Sequence, residues 1–467
     1  VNTRQLLPLL RQATQSAVVW SWGMNVLRLG SSLILLPLLV HQLSTADLGM
    51  HYILLNVGAL AAVLDFGFSG AVWRAVAHAS AGGREMLRFG VAEPPPEGGE
   101  PNHQLIWDLM AVARRLYGGL ALVALGLIGT LGTLLVNVGV AETSSPTRTW
   151  LAWGATLLLT VWEVYASWWS AYLMGLNRVA TYAQLNFLAY LLKLAGSAVL
   201  LWLGVGLLSV PIAGLVAVCV QRTLARRACL RCLGEPLAAA TPPARVRELV
   251  SRLWPNASRI GFLGVGSYLG GQAMAFLCLT SLGLAANAEY GLSLQIMSVA
   301  QGMATVWMQV KWPEIARLRT QGDFAGIRRL LRERLWLSVA TFVFLVAVAI
   351  PLAPPLLQWL HTDKVVLPAA WLVVMAVHTL LELHLSIWGM LIYTDNRVDY
   401  LRPLLLANLG ALGLAVALLQ FTGLGLGALV LAPLLAGAVF NYWHWPRVGG
   451  ELLQTTWSRL LFARRAD

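Results

Sequence analysis

Apolar stretches long enough to cross a bilayer recur from one end of this chain to the other, each parted from the next by a short polar turn. A helix needs about 20 such residues to span the hydrocarbon layer. With 58% of 467 residues hydrophobic and 12% charged, a water-soluble fold has nowhere to hide this much apolar surface. The fold class that follows is an all-α polytopic membrane protein. Hydropathy and turn residues place about twelve transmembrane helices. They lie near 16–42, 47–79, 106–139, 148–175, 179–204 and 206–228, then near 254–283, 286–317, 329–359, 365–393, 397–421 and 424–446. The domains expected are an N-terminal six-helix lobe (1–228), a cytoplasmic linker (229–253), a C-terminal six-helix lobe (254–446) and an amphipathic tail (447–467).

The net charge of +12 does not point to nucleic acid, because the basic residues are dispersed among alternate loops. One side carries Arg84, Arg88, Arg178, the run from Arg226 to Arg252, Arg317, Arg319, Arg328, Arg397 and the arginines of both termini; the other carries only Arg148 and Lys364. The positive-inside rule then sets both termini in the cytoplasm. The first apolar stretch runs past residue 40 without a small-residue cleavage site, so it reads as a retained helix. Short far-side loops leave no room for an extracytoplasmic catalytic domain, and no HExxH, GxSxG or Walker motif occurs. The chain is therefore not expected to be an enzyme or to carry a cofactor. Cys229 and Cys232 have CxxC spacing but no second ligand pair, so no metal is expected there. Residues 92–102 read as a flexible cytoplasmic loop, and Leu453, Trp457 and Leu460 as one face of a helix lying on the membrane surface.

An internal repeat organises the rest. TVWEVYASWWSAYLMGLNRV (160–179) aligns without gaps on TLLELHLSIWGMLIYTDNRV (379–398), with seven of twenty positions identical, Glu163/Glu382 and Asn177-Arg178/Asn396-Arg397 among them. ADLGMHY (46–52) matches AEYGLSL (288–294) more weakly. An even number of helices separates the copies, so the halves point the same way. Parallel repeats of this kind place a site near the midplane between them.

Charges inside apolar helices are costly and demand an account. GALAAVLDFGFSGAVWRAV (58–76) carries Asp65 and Arg74, which on one continuous helix stand on opposite faces about 13 Å apart. Arg74 is near enough to the cytoplasmic end to snorkel. Folding about the turn near residue 45 brings Arg28 level with Asp65 to within roughly 5 Å. Folding about the turn near 177 sets Glu163 level with Lys193 in the same way. The repeat offsets map Arg28 to Gly270, Asp65 to Trp307 and Lys193 to Leu412, so the second half keeps Glu382, with His378 and His384 nearby, and lacks the deep cations. Two readings stay open: self-satisfied pairs that join helices, or a cavity lining on a substrate or proton path. Trp162, Trp168 and Trp169 read either as interfacial and packing residues or as faces for sugar stacking.

Residues 36–77 resemble the opening helices of bacterial polysaccharide flippases of the O-antigen type, within the multidrug/oligosaccharidyl-lipid/polysaccharide exporter superfamily. Leu43, Ser44, Asp47, Leu48, Gly49, Asp65, Phe66, Gly67, Phe68 and Ser69 carry the resemblance, together with the Asn177-Arg178 turn. It implies a two-lobed, V-shaped bundle that moves a polyprenyl-pyrophosphate-linked oligosaccharide to the outer leaflet by alternating access. Arg28, Lys193 and Arg74 would then meet the substrate, and Asp65, Glu163 and Glu382 would couple an ion or form charge pairs. Membrane lipid and other polysaccharide-assembly proteins are the implied partners. The alternatives are a drug/cation antiporter of the same superfamily, a peptidoglycan-precursor flippase (usually with two further helices), a membrane enzyme of glycan assembly, and a non-transport scaffold.

Overall fold

The computed structural model describes residues 17–83, 100–233, 241–393 and 401–456, and every regular element among them is helical. The first part of the chain forms α1 (Ala17–Gln42), α2 (Thr45–Gly58), α3 (Leu60–Leu64), α4 (Phe68–Ser80), α5 (His103–Gly139), α6 (Pro146–Ala166), α7 (Trp168–Gly175), α8 (Val179–Trp202) and α9 (Ser209–Leu233). The second forms α10 (Pro243–Gln309), α11 (Trp312–Thr320), α12 (Phe324–Trp359), α13 (Ala369–Tyr393), α14 (Leu401–Phe421), α15 (Leu426–Val439) and α16 (Asn441–Leu452). Local chemistry sets several starts. The Asn102 side chain accepts the Leu105 amide at the head of α5, and Asp323 accepts the Gly326 amide at the head of α12. Ser145 and Pro146 open α6 as N-cap and first-turn proline.

Among the described residues ten helical stretches are long and apolar enough to cross a membrane. The stretch Gly264–Gln309 breaks at Gly283, whose φ of 84° is left-handed, and so makes two passes. Helices α6 and α7, interrupted only at Ser167, make one more, which restores the twelve. Surface residues such as Leu122, Leu134, Trp202, Phe344 and Phe421 stay exposed, as the lipid-facing side of such a bundle requires.

Besides 148–175, which is interrupted at Ser167, three expected single helices are broken. The span 47–79 divides into α2, α3 and α4, because Phe66 (φ 48°) and Gly67 (φ 76°) turn left-handed between α3 and α4. The span 286–317 ends at Gln309, and α11 restarts at Trp312 with a proline in its first turn. The span 424–446 divides at Phe440, whose non-helical backbone (φ −143°) separates α15 from α16. Helix α9 also runs to Leu233, past the expected end near 228. Of the sequence features, the 92–102 loop up to residue 99, the Asn396-Arg397 turn and the tail from Trp457 lie outside the described residues.

The chain forms two compact units. One comprises residues up to Leu43 together with Leu54–Val265; the other comprises Ser44–Ile53 with the residues from Gly266. In the first, Phe68, Val72, Leu109, Tyr117, Trp168 and Tyr172 pack a continuous core. In the second, Met297, Met308, Phe342, Leu383 and Trp388 do so.

Within the second unit the weaker repeat shows its purpose. A Cβ on Gly49 would stand 2.1 Å from the Leu284 carbonyl oxygen, and one on Gly291 would stand 2.4 Å from the Tyr52 ring. The two glycines, equivalent in the repeat, therefore permit a close helix crossing. Asn287 clamps it by donating to the Gly49 carbonyl at 2.9 Å, and Tyr52 by donating to Gln295 Oε1 at 2.7 Å. The longer repeat behaves alike in both copies: Thr160 and Thr379 each bond the carbonyl four residues back, and Ser167 and Ser386 each bond the carbonyl three residues back.

Candidate functional site: a charged cluster and a polar cavity

The first unit holds the charged cluster. At its floor the helix break at 65–67 leaves the first amides of α4 without intrahelical acceptors. Asp65 supplies one: its Oδ2 accepts the Ser69 amide at 3.1 Å, while Oδ1 accepts the Ser69 hydroxyl at 2.6 Å and the Tyr117 hydroxyl at 2.7 Å. Phe66 fills the outer side of the break, packing against Trp254 and Phe262. The Asp-Phe-Gly-Phe-Ser run is thus a helix restart with its own acceptor.

This arrangement corrects the expected Arg28–Asp65 pair. Among the described residues no ion pair joins them, because Asp65 is already engaged by three donors. Nor does Glu163 close on Lys193: among the described residues no ion pair joins them, and the lysine Cε lies beside Gly214 of α9, 3.8 Å from where a Cβ there would stand. Arg74 stands exposed on α4 beyond the break, so the single-helix spacing to Asp65 no longer applies. Trp168 is buried and stacks on Trp169 with ring centroids 3.8 Å apart, which uses the facing sides of both rings for packing.

The cluster contains a cation absent from the sequence-based set. Helix α8 packs between α1 and α9, and Arg222 of α9 donates to the Ser170 hydroxyl of α7. It lies in electrostatic reach of Glu163, Tyr182, Tyr117 and Asp65. Tyr190 of α8 in turn has Arg28, Tyr182, Glu163 and Arg222 around it. Below them Gln221 donates to Asn186 Oδ1 at 3.1 Å, tying α9 to α8. Arg28, Lys193 and Arg222 set against Asp65 and Glu163 give three positive and two negative groups, a net charge of one positive. The signal for Arg222 is its place inside the expected helix 206–228, before the basic run that starts at Arg226; α9 continues for 11 residues beyond it, about 16 Å of helix.

The second unit holds a separate cavity of about 350 Å³, lined by Ser298, Gln301, His378, Glu382 and Asn408 among others. Gly270, the repeat counterpart of Arg28, also lines it, and a side chain there would strike the Asn408 amide. The Tyr442 hydroxyl lies 3.1 Å from Glu382 Oε1, to which it donates, and 2.8 Å from His378 Nδ1. With the imidazole proton on Nδ1, the three groups form one directed chain from His378 through Tyr442 to Glu382. His384 is occupied elsewhere, accepting the Trp388 indole N–H at 2.8 Å. Among the described residues no cation lies within ion-pair distance of Glu382.

No protein-family profile matches the chain, and no curated protein matches it. Solved structures do. The lipid II flippase MurJ in an inward closed conformation superposes with a TM-score of 0.63 at 12% identity, over 95% of this chain and 89% of its own. A multidrug resistance MATE family transporter of the MOP superfamily, inward-facing, gives 0.62 at 14% identity over 92% and 94%. The chain has the fold of a MOP-superfamily transporter. A further MOP superfamily transporter, from Pyrococcus furiosus, whose reverse polarity of the binding pocket suggests a different function, gives 0.52 at 13% identity over 97% and 98%.

Proposed function

We propose that the chain is a flippase that carries a polyprenyl-pyrophosphate-linked oligosaccharide, an O-antigen or exopolysaccharide repeat unit, across the bacterial inner membrane by alternating access. The observation that carries this reading is the excess of cation in the first unit, where Arg28, Lys193 and Arg222 outnumber Asp65 and Glu163 and Asp65 is already satisfied. An arginine holds phosphate oxygens in a bidentate fork and a lysine adds a point charge, so the cluster suits a phosphate-bearing headgroup. Likeness to a lipid II flippase supports a lipid-linked cargo. The membrane potential, negative inside, assists outward movement of an anion by about 2.3 kcal/mol per charge per 100 mV.

Glu382 is the carboxylate we assign to ion coupling, since it faces a cavity and has no cationic partner. Asp65 serves as a structural acceptor, and Glu163 as the local counter-charge of the cationic cluster. A drug/cation antiporter is the second reading, favoured by the acidic character of the second-unit cavity and by likeness to a multidrug transporter.

The test is made in the native host with the gene deleted, in a background where a glycan-synthesis block limits toxicity. Lipid-linked oligosaccharide is extracted and quantified after restoring wild type, Arg28→Ala or Lys193→Ala at matched expression. Accumulation of the intermediate, relieved by wild type and not by the variants, is the expected result. Unchanged lipid-linked and surface glycan with new drug sensitivity would replace this reading by the antiporter.

A further inference from the structure

A guanidinium carries five N–H donors, and removing it from water is offset only by close acceptors or anions. Arg222 meets that requirement in part. One terminal nitrogen bonds the Ser170 hydroxyl, while Nε is sealed from solvent with no hydrogen-bond partner. The two carboxylates around it do not close on it. Asp65 is taken by Ser69 and Tyr117. Glu163 acts on Arg222 across space, with no hydrogen bond or ion pair to it among the described residues. The guanidinium is thus neutralised from a distance and left with donors to spare.

Its neighbours point the same way. Arg28 shares Tyr190 with Arg222, and Lys193 lies on the same helix as Tyr190 three residues further on. A cluster built only to join helices would place its acids against its bases. Here the free acid stands off and an unsatisfied arginine faces it.

We propose that Arg222 is the residue that takes the phosphate of the cargo, and that Glu163 is the counter-charge which holds the site open and yields to the incoming anion. This rests on the reading that the cargo is a lipid-linked anion. The ligand class is a phosphate or diphosphate ester, gripped through the planar fork of Arg222, with Lys193 and Arg28 as supporting charges. Glu163 competes with the ligand for the same cation, so it weakens binding while it preserves the empty site.

The full-length protein in phosphatidylcholine nanodiscs is titrated with farnesyl pyrophosphate, with farnesol and with inorganic pyrophosphate, for wild type, Arg222→Lys, Arg222→Gln and Glu163→Gln. Native mass spectrometry counts bound probe. Wild type is expected to prefer farnesyl pyrophosphate over farnesol, and Arg222→Gln to lose affinity by about tenfold or more, with Arg222→Lys between the two. Glu163→Gln is expected to bind about threefold tighter or better, a gain that misfolding does not produce. Equal affinity in Arg222→Gln and wild type, or weaker binding in Glu163→Gln, overturns the assignment of these two residues while leaving the cargo reading in place. Failure of wild type to separate farnesyl pyrophosphate from farnesol overturns the cargo reading itself. Inorganic pyrophosphate binding as tightly as the farnesyl ester overturns a lipid-linked ligand in favour of a free anion.

Discussion

At the scale of the residue, Asp65 shows how a charge inside a membrane span earns its place through the backbone. The break at Phe66 and Gly67 frees amides that lipid cannot solvate, and Asp65 answers one of them while holding Tyr117 of α5. Asp65→Ala is expected to cost about 1–2 kcal/mol, the upper part of the range for a lost helix cap, because Ser69 and Tyr117 lose their acceptor as well. Thermal unfolding of the detergent-solubilised protein measures it, and Ser69→Ala should be the milder change. A melting temperature unmoved in Asp65→Ala would contradict this role. The sequence marks Asp65 as significant but assigns it the wrong partner, because helix register alone matches depth and says nothing of which donors reach the carboxylate first. Arg222 escapes notice for a different reason: it lies inside the expected helix 206–228, next to the basic run from Arg226, and only the packing of α9 on α7 and α8 brings Ser170 and Glu163 near it.

At the scale of the element, the repeat is the most legible feature, since it places threonine and serine in equivalent settings on α6–α7 and α13. Its helix breaks are less legible. Ser167 interrupts the first copy while α13 runs on through Ser386, and identical residues at those positions carry no warning of the difference. The glycine crossing gives a graded prediction. Gly49→Ala forces a methyl against the Leu284 backbone, whereas Gly291→Ala meets the Tyr52 ring, a side chain and not backbone. Overpacking costs about 1–3 kcal/mol, and Gly49→Ala should sit at or above the top of that range with Gly291→Ala below it. Melting temperatures in the reverse order would show that the crossing relaxes at the backbone. A second prediction concerns the loop before α13. Asp363 accepts from Lys364 at 2.6 Å and from Thr45 at 2.7 Å, and its bond to Lys364 holds the carboxyl below the usual carboxylate range. A depressed folded value means the contribution is present above the unfolded value and lost as pH falls through the folded one. The melting-temperature gap between wild type and Asp363→Asn should therefore be present at neutral pH and close below about pH 3–4. A gap that widens on acidification would reverse the sign. The effect is small, because Asp363 is largely exposed and salt screens it.

At the scale of the whole molecule, the two units divide the chemistry. One sets Arg28 and Arg222 around Tyr190 with Glu163, and the other lines a cavity with Glu382 and His378, both bonded to Tyr442, with no cation in ion-pair reach of Glu382 among the described residues. The repeat marks the contrast at one position: where the first half has Arg28 the second has Gly270, which lines the cavity and lets the Asn408 amide approach. Glu382→Gln should abolish dependence of transport on an ion gradient while leaving anion binding at Arg222 intact, as read by gradient-dependent flipping alongside probe titration. Loss of both together would mean that Glu382 supports the fold and not the coupling. Class, helix number and the parallel halves are legible in the sequence because hydropathy, loop charge and repeat spacing each encode them. The partners of individual charges are not, since these depend on where helices break.

The central claim is outward movement of a phosphate-bearing lipid. Proteoliposomes holding the purified protein and a polyprenyl-pyrophosphate oligosaccharide, with a potassium-diffusion potential imposed, report it through cleavage of the exposed glycan by an impermeant glycosidase. The account predicts protein-dependent exposure in wild type that rises when the potential drives anions outward and falls when it is reversed, with an equilibrium bias of up to about 50-fold per net charge moved at 100 mV. The same exposure with and without protein, or exposure indifferent to the sign of the potential in wild type, would contradict it.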